Sequence, residues 1–135
     1  PAYIARRGRP SHPNDLVHHQ CVNSVSPVTG KVHDWDFARD GETLSIPTPA
    51  CLAVNDSTVY TSAGVTGLGI VQLVTMVAGP LIAAGEMEVI LPEWTTVSLP
   101  VNAVYPQNRH LSAKVRVFVE WVADLFLALP EQGKT

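Results

Sequence analysis

The spacing of apolar and polar positions changes several times along the chain, and each change marks an element. The cleanest alternation runs from Lys31 to Phe37, with His33, Trp35 and Phe37 on one face, and resumes from Glu42 to Ile46, with Leu44 and Ile46 on one side. A period of two predicts half-buried strands. Asp40-Gly41 lies between them and predicts a tight hairpin turn, because glycine tolerates the positive φ such a turn demands. Two further stretches, Gln20 to Val25 and Ala50 to Val54, read as strands. The first is followed by the turn Pro27-Val28-Thr29-Gly30, and the second is preceded by Pro47-Thr48-Pro49. Gly69 to Val74, Glu86 to Leu91 and Leu99 to Tyr105 also predict strands, the second with Met87, Val89 and Leu91 on one face.

The helical signals are of uneven strength. Residues 2–7 predict a short turn of helix ended by Gly8 and Pro10, and Asp15 to His19 a second one with Asn14 as N-cap. Asn55-Asp56-Ser57 offers short polar side chains to the orphan N–H groups of a helix start. The residues that follow, Thr58, Val59, Tyr60, Thr61 and Val65, lean by propensity toward strand. The cap, together with Gly64 and Gly67, decides for a helix over 56–65. Val77 to Ala84 predicts a short helix ended by Gly85. The strongest signal comes last: Leu111, Val115, Phe118, Val119, Val122, Leu125 and Phe126 follow helical spacing, Ser112 caps the start and Pro130 ends it. Strands alternating with helices predict an α/β layered fold with a parallel-rich mixed sheet flanked by helices.

Composition narrows the possible roles. A chain of 135 residues is one domain's worth, and with 46% apolar residues it can bury a core. Only 16% of residues are charged, below the usual quarter or so, so apolar surface is expected to meet a partner. The terminal helix carries more apolar face than the chain has segments to cover. The net charge of -3 gives no basic excess for a phosphate backbone. No apolar run reaches the roughly 18 residues of a membrane span. The start, Pro1 to Arg7, has neither an initiator Met nor an apolar stretch after its arginines, and reads as an internal cut rather than a signal peptide. Two cysteines, Cys21 and Cys51, are too few for a disulfide scaffold, and they read as buried reduced thiols of a cytoplasmic protein, with a redox pair left open.

Four ordered stretches carry a family resemblance. They are Pro1-Ala2-Tyr3-Ile4 with Gly8-Arg9-Pro10, Asp15-Leu16 and His19-Gln20-Cys21; Trp35-Asp36-Phe37 with Gly41; Val54-Asn55-Asp56 with Ala63-Gly64, Gly67-Leu68-Gly69-Ile70, Pro80 and Gly85-Glu86-Met87; and Tyr105 to Ser112 running into Val115 to Trp121. Taken in order, they are similar to the effector-binding domain of LysR-type transcription regulators. The resemblance implies a periplasmic-binding-protein-like fold (type 2) of two lobes with a small-molecule cleft between them, truncated here on its N-terminal side. It places residues 1–98 in the second lobe and 99–135 in a return strand and helix of the first. It implies an effector-sensing role rather than an enzyme, an anionic or aromatic small-molecule effector, DNA contact only through an absent N-terminal domain, and a homo-oligomer. A solute-binding module of periplasmic type and a small α/β enzyme are the alternatives.

The resemblance turns Ser24, Val25 and Ser26 toward the cleft, at a strand end that offers hydroxyl and backbone N–H groups; ordinary turn-forming serines are the competing reading. Asn55 and Asp56 both read as helix-capping residues; the resemblance adds Asn55 at the cleft edge, beside a helix N-terminus whose dipole favours anions, while Asp56 stays a cap. Thr66 and Tyr105 complete the candidates, each balanced against simple packing. Gly64, Gly67 and Gly69 lack the spacing of a nucleotide loop and read as turn residues. His12, His18, His19 and His33 fit no metal-ligand spacing, so neither metal nor cofactor is expected. Trp35 reads as core, and Arg109, His110 and Arg116 as solvated. No nucleophile elbow or facing carboxylate pair supports catalysis.

Overall fold

The computed structural model describes residues 1–96, 102, 104 and 112–128. The chain forms two compact units, Pro1–Val97 and Ser98–Thr135.

The first unit is built around β1 (Cys21–Ser24), whose first three residues are all buried. Burial without alternation is what a strand covered on both faces requires. β1 pairs in parallel with β4 (Ala50–Val54), matching Val22 to Leu52 and Ser24 to Val54. On its other side Ile70 adds a parallel bridge, accepting from the Val22 N–H at 2.9 Å and donating to Gln20 O at 2.9 Å. The predicted strand Gly69–Val74 goes no further than this bridge. The reason is Tyr60, whose phenolic oxygen accepts the Gln72 N–H at 2.9 Å and donates to Gln72 O at 3.3 Å, removing both groups from any ladder.

β2 (Trp35–Arg39) and β3 (Glu42–Ile46) form the expected antiparallel hairpin. Asp40 and Gly41 turn it with φ of 50° and 85°. The first strand begins at Trp35 rather than Lys31, because Val32 is drawn into a bridge with Val25 while His33 and Asp34 stay exposed. Thr95 extends the sheet by exchanging backbone bonds with Ala38 at 2.8 and 2.9 Å. The expected strand Glu86–Leu91 does not form. Leu81 O takes the N–H groups of Glu86 and Met87, Arg9 donates to Val89 O at 2.7 Å, and Leu91 turns with φ 53°.

Helices flank these strands. α1 (Ala2–Arg7) buries Tyr3, whose oxygen accepts the Gln20 N–H at 2.7 Å. A 3-10 helix follows at Pro13–His18, capped by His12 and not by Asn14. Proline at its first position presets φ, and the Asp15 carboxylate reaches back to the Ser11 and His12 N–H groups at 2.9 Å each. α2 (Ser57–Val65) begins where predicted, with the Val59 N–H donating to Asp56 Oδ1 at 2.9 Å. α3 (Thr75–Ala83) begins two residues earlier than expected and has no buried residue.

Adjacent β1 residues divide the core. Cys21 joins Tyr3, Leu16, Trp35, Phe37, Ile46, Ile70, Leu91 and Trp94 in one cluster. Val22 joins Tyr60 and Ala63 in the other, with Leu52, Val54, Val71 and Leu73 packed around them. Trp35 is therefore core, as the alternation predicted. Cys51 is exposed rather than buried.

The second unit is described chiefly through α4 (Ala113–Ala128), the predicted terminal helix. Ser112 Oγ accepts the Val115 N–H at 3.4 Å. Val119 and Val122 are half-buried, while Val115, Val117, Phe118, Trp121, Leu125 and Phe126 are exposed. The predicted strand Leu99–Tyr105 and the residues Arg109 and His110 lie outside the described residues. No helix among the described residues is long and apolar enough to cross a membrane.

Candidate functional site

Parallel strands bring their carboxyl ends to the same edge of a sheet, and in α/β folds that edge is where ligands bind. Here the edge is formed by the ends of β1 and β4 and the start of α2. Ser24 stands opposite Val54. The Val25 N–H donates to Val54 O at 2.7 Å, which pins the two strand ends together just before Asn55. Asp56 then caps α2, so the carboxylate of the chain itself occupies the helix start. Ser24 and Asn55 are exposed, and neither side chain makes a hydrogen bond to the described residues.

The other candidates divide. Val25 is half-buried and bridged to Val32. Ser26 is engaged by its own loop: its N–H donates to Lys31 O at 2.9 Å, and its hydroxyl accepts the Thr29 N–H at 3.2 Å. Its side chain thus shapes the edge more than it presents itself. Thr66 lies at the opposite end of α2, about 13 Å along a helix of this length. Its hydroxyl donates back to Ser62 O at 2.9 Å, a local bond within the helix end. Nearby, Gly69 comes so close to β1 that an added Cβ would stand 2.7 Å from Gln20 O, which puts this end of α2 at the start of β1 and not at its finish. The structure therefore gathers Ser24, Val25, Ser26 and Asn55 and leaves Thr66 apart. Tyr105 lies outside the described residues.

Asn23 is the supporting residue that pattern reading passed over. It is 1% exposed, donates from Nδ2 to Thr48 O at 3.2 Å and accepts from Thr48 Oγ1 at 3.0 Å. Each half of the amide has a partner, so it fastens the Pro47–Pro49 segment to β1 with its desolvation offset. An amide inside an otherwise buried strand was its signal.

Titration behaviour follows burial and bonding. Burial, reinforced by the Cys51 thiol, pushes the Cys21 thiol up to about 12. Burial also raises Tyr60, which keeps its phenol protonated as a donor to Gln72 O. Backbone bonds from Ser11 and His12 lower Asp15. Away from the strand ends, Val32, His33, Asp34, Asp36 and Ser45 line a shallow polar depression. Among the described residues no group of three could hold a metal ion.

Comparison with known proteins assigns this arrangement to a family. The model of the LysR substrate binding domain matches residues 1–127. An HTH-type transcriptional repressor of Pseudomonas aeruginosa is 30% identical over 97% of this chain and 41% of its own length. The HTH-type transcriptional regulator YhjC of Escherichia coli is 35% identical over 93% of the chain and 42% of its own. The chain thus spans about two fifths of the length of the curated relatives it matches. The regulatory domain of CrgA from Neisseria meningitidis superposes with a TM-score of 0.73 at 25% identity, covering 93% of this chain and 60% of that one. The regulatory domain of AphB from Vibrio vulnificus superposes at 0.67 with 27% identity, covering 93% and 61%. These neighbours share the type 2 periplasmic-binding-protein-like architecture expected from the sequence. The chain belongs to the LysR substrate-binding domain family, the regulatory part of LysR-type transcription regulators.

Proposed function

We propose that this chain forms the larger part of an effector sensor in which a small molecule binds between two lobes. Residues 1–98 supply the second lobe, and 99–135 return to the first. The observation that carries the reading is the shared strand edge, where the free side chains of Ser24 and Asn55 stand beside two strand ends tied together by the Val25–Val54 bond. Ligand would stabilise one lobe arrangement over another, and only that differential affinity can transmit its presence. In the whole protein the shift would reach DNA through an N-terminal domain and act within a homo-oligomer. The long apolar face of α4 then has a use, since a first lobe needs such a face for its own core.

The test is a thermal-shift screen of the full-length protein against small carboxylates and aromatics. A binder at a hundredfold its Kd should add about 2.7 kcal/mol of stability. Ser24→Ala with Asn55→Ala should reduce that gain, while Thr66→Ala leaves it unchanged. A binder whose effect survives the double substitution intact would place the site elsewhere.

A further inference from the structure

β1 and β4 fall out of step at one point. Cys21 pairs with Ala50, yet the next residue, Val22, pairs with Leu52. The residue left over is Cys51, so the irregularity sets this thiol beside the start of β1. Neighbouring strands lie about 4.8 Å apart and rise about 3.3 Å per residue, which places the Cys21 and Cys51 Cα atoms roughly 6 Å apart. Disulfides span Cα separations of about 4.4–6.8 Å. Bulges also bend and twist their strand locally, which lends the backbone the adjustment a cross-link needs. The two thiols differ sharply in access: Cys21 is fully buried, whereas Cys51 is exposed and both are free.

We propose that Cys51 and Cys21 form a reversible disulfide when the protein meets a hydroperoxide, with Cys51 as the thiol attacked first. The Cys51 thiolate attacks the terminal peroxide oxygen. The O–O bond breaks, and the remaining oxygen leaves as water or alcohol after taking a proton, which yields a sulfenic acid. The Cys21 sulfur then displaces the sulfenic hydroxyl. Its own proton leaves with that hydroxyl as water, and the S–S bond forms. The peroxide is reduced by two electrons, and the thiol pair is oxidised by the same two. Burial holds Cys21 protonated, so it takes no part in the first step, and in the second its proton has to pass to the departing hydroxyl as the S–S bond forms. The product would cross-link the two strands whose far ends carry Ser24 and Asn55, so thiol oxidation and the strand edge would share one mechanical element.

Mass spectrometry on the intact protein tests this directly. After hydrogen peroxide, the wild type should lose two hydrogen atoms in mass, yield a peptide pair linked through Cys21 and Cys51, lose both alkylatable thiols and recover them with dithiothreitol. Cys51→Ser should leave Cys21 alkylatable after unfolding. Cys21→Ala should stop at a Cys51 sulfenic acid that dimedone traps; the wild-type measurement stands even if this core variant folds poorly. Three results overturn the proposal: a dimedone adduct on Cys51 of the wild type with Cys21 still free, a disulfide joining Cys51 of two chains, or no change at peroxide levels that oxidise free cysteine.

Discussion

α2 and α4 reverse the usual relation between local signal and burial. α2 is rich in β-branched residues and has no clear apolar face, yet it is tightly held. Asp56 caps it, Tyr60 and Ala63 enter the core, and Gly64 lies so close to its neighbours that an added Cβ would stand 2.7 Å from Val71 and 2.8 Å from Met87. α4 has the best helical pattern in the chain, yet it shows Phe118 at 61% and Trp121 at 57% exposure. Specific partners within its own unit decide α2. The pattern of α4 is directed at a surface it does not find among the described residues. A periodic stripe therefore reports that a helix has something to cover, not that it is covered.

The sharpest way to break this contrast is Gly64→Val. The new side chain would overpack against the stiff Val71 and should cost about 1–3 kcal/mol in a urea melt. Little or no loss would mean α2 is less closely seated than its contacts imply. Tyr60→Phe comes next. It strands both backbone groups of Gln72 in a half-buried site and should cost about 1–2 kcal/mol. Removing the cap by Asp56→Ala should cost about 1 kcal/mol. On the other helix, Phe118→Ser with Trp121→Ser removes two exposed side chains and should change stability by less than about 0.5 kcal/mol, as exposed positions do. A larger loss would show that the stripe is covered. The smallest effect concerns the 3-10 helix. Its bonds lower Asp15 below the ordinary 3.8, so they contribute stability above that pH and lose it as pH falls through the folded value. Asp15→Asn should remove this acid-side slope from a pH series of melting temperatures.

How much of this was legible in the sequence varies with the physics at work. The hairpin was, because alternation and Asp40-Gly41 act locally. The Asp56 cap was too, because its partner lies three residues away. Two strands were expected that do not form, and both failures come from distant partners: the Tyr60 phenol claims Gln72, and Arg9 claims Val89 O. No window around Val74 or Val89 contains that information. At the candidate site, Ser24 and Asn55 were named through the family resemblance, and the parallel pairing brings them together. Thr66 stood among the candidates too, but the course of α2 carries it to the other edge. Asn23 escaped notice because its role depends on Thr48, across a turn and a hairpin.

The position of β1 has a consequence for how the protein is made. Both strand-like neighbours of β1 come later in the chain, β4 after the hairpin and Ile70 after α2. As the polypeptide leaves the ribosome, Cys21 to Ser24 must wait with open backbone groups while the hairpin, a local structure, closes first. The centre of the sheet can be completed only when Gly69 and Ile70 have emerged. Pairings of such long sequence separation are slow to close and leave apolar strand exposed meanwhile. Nascent chains stalled before Gly69 should therefore be cut by protease near β1 and bound by chaperones, and release from both should coincide with emergence of the Gly67–Ile70 segment.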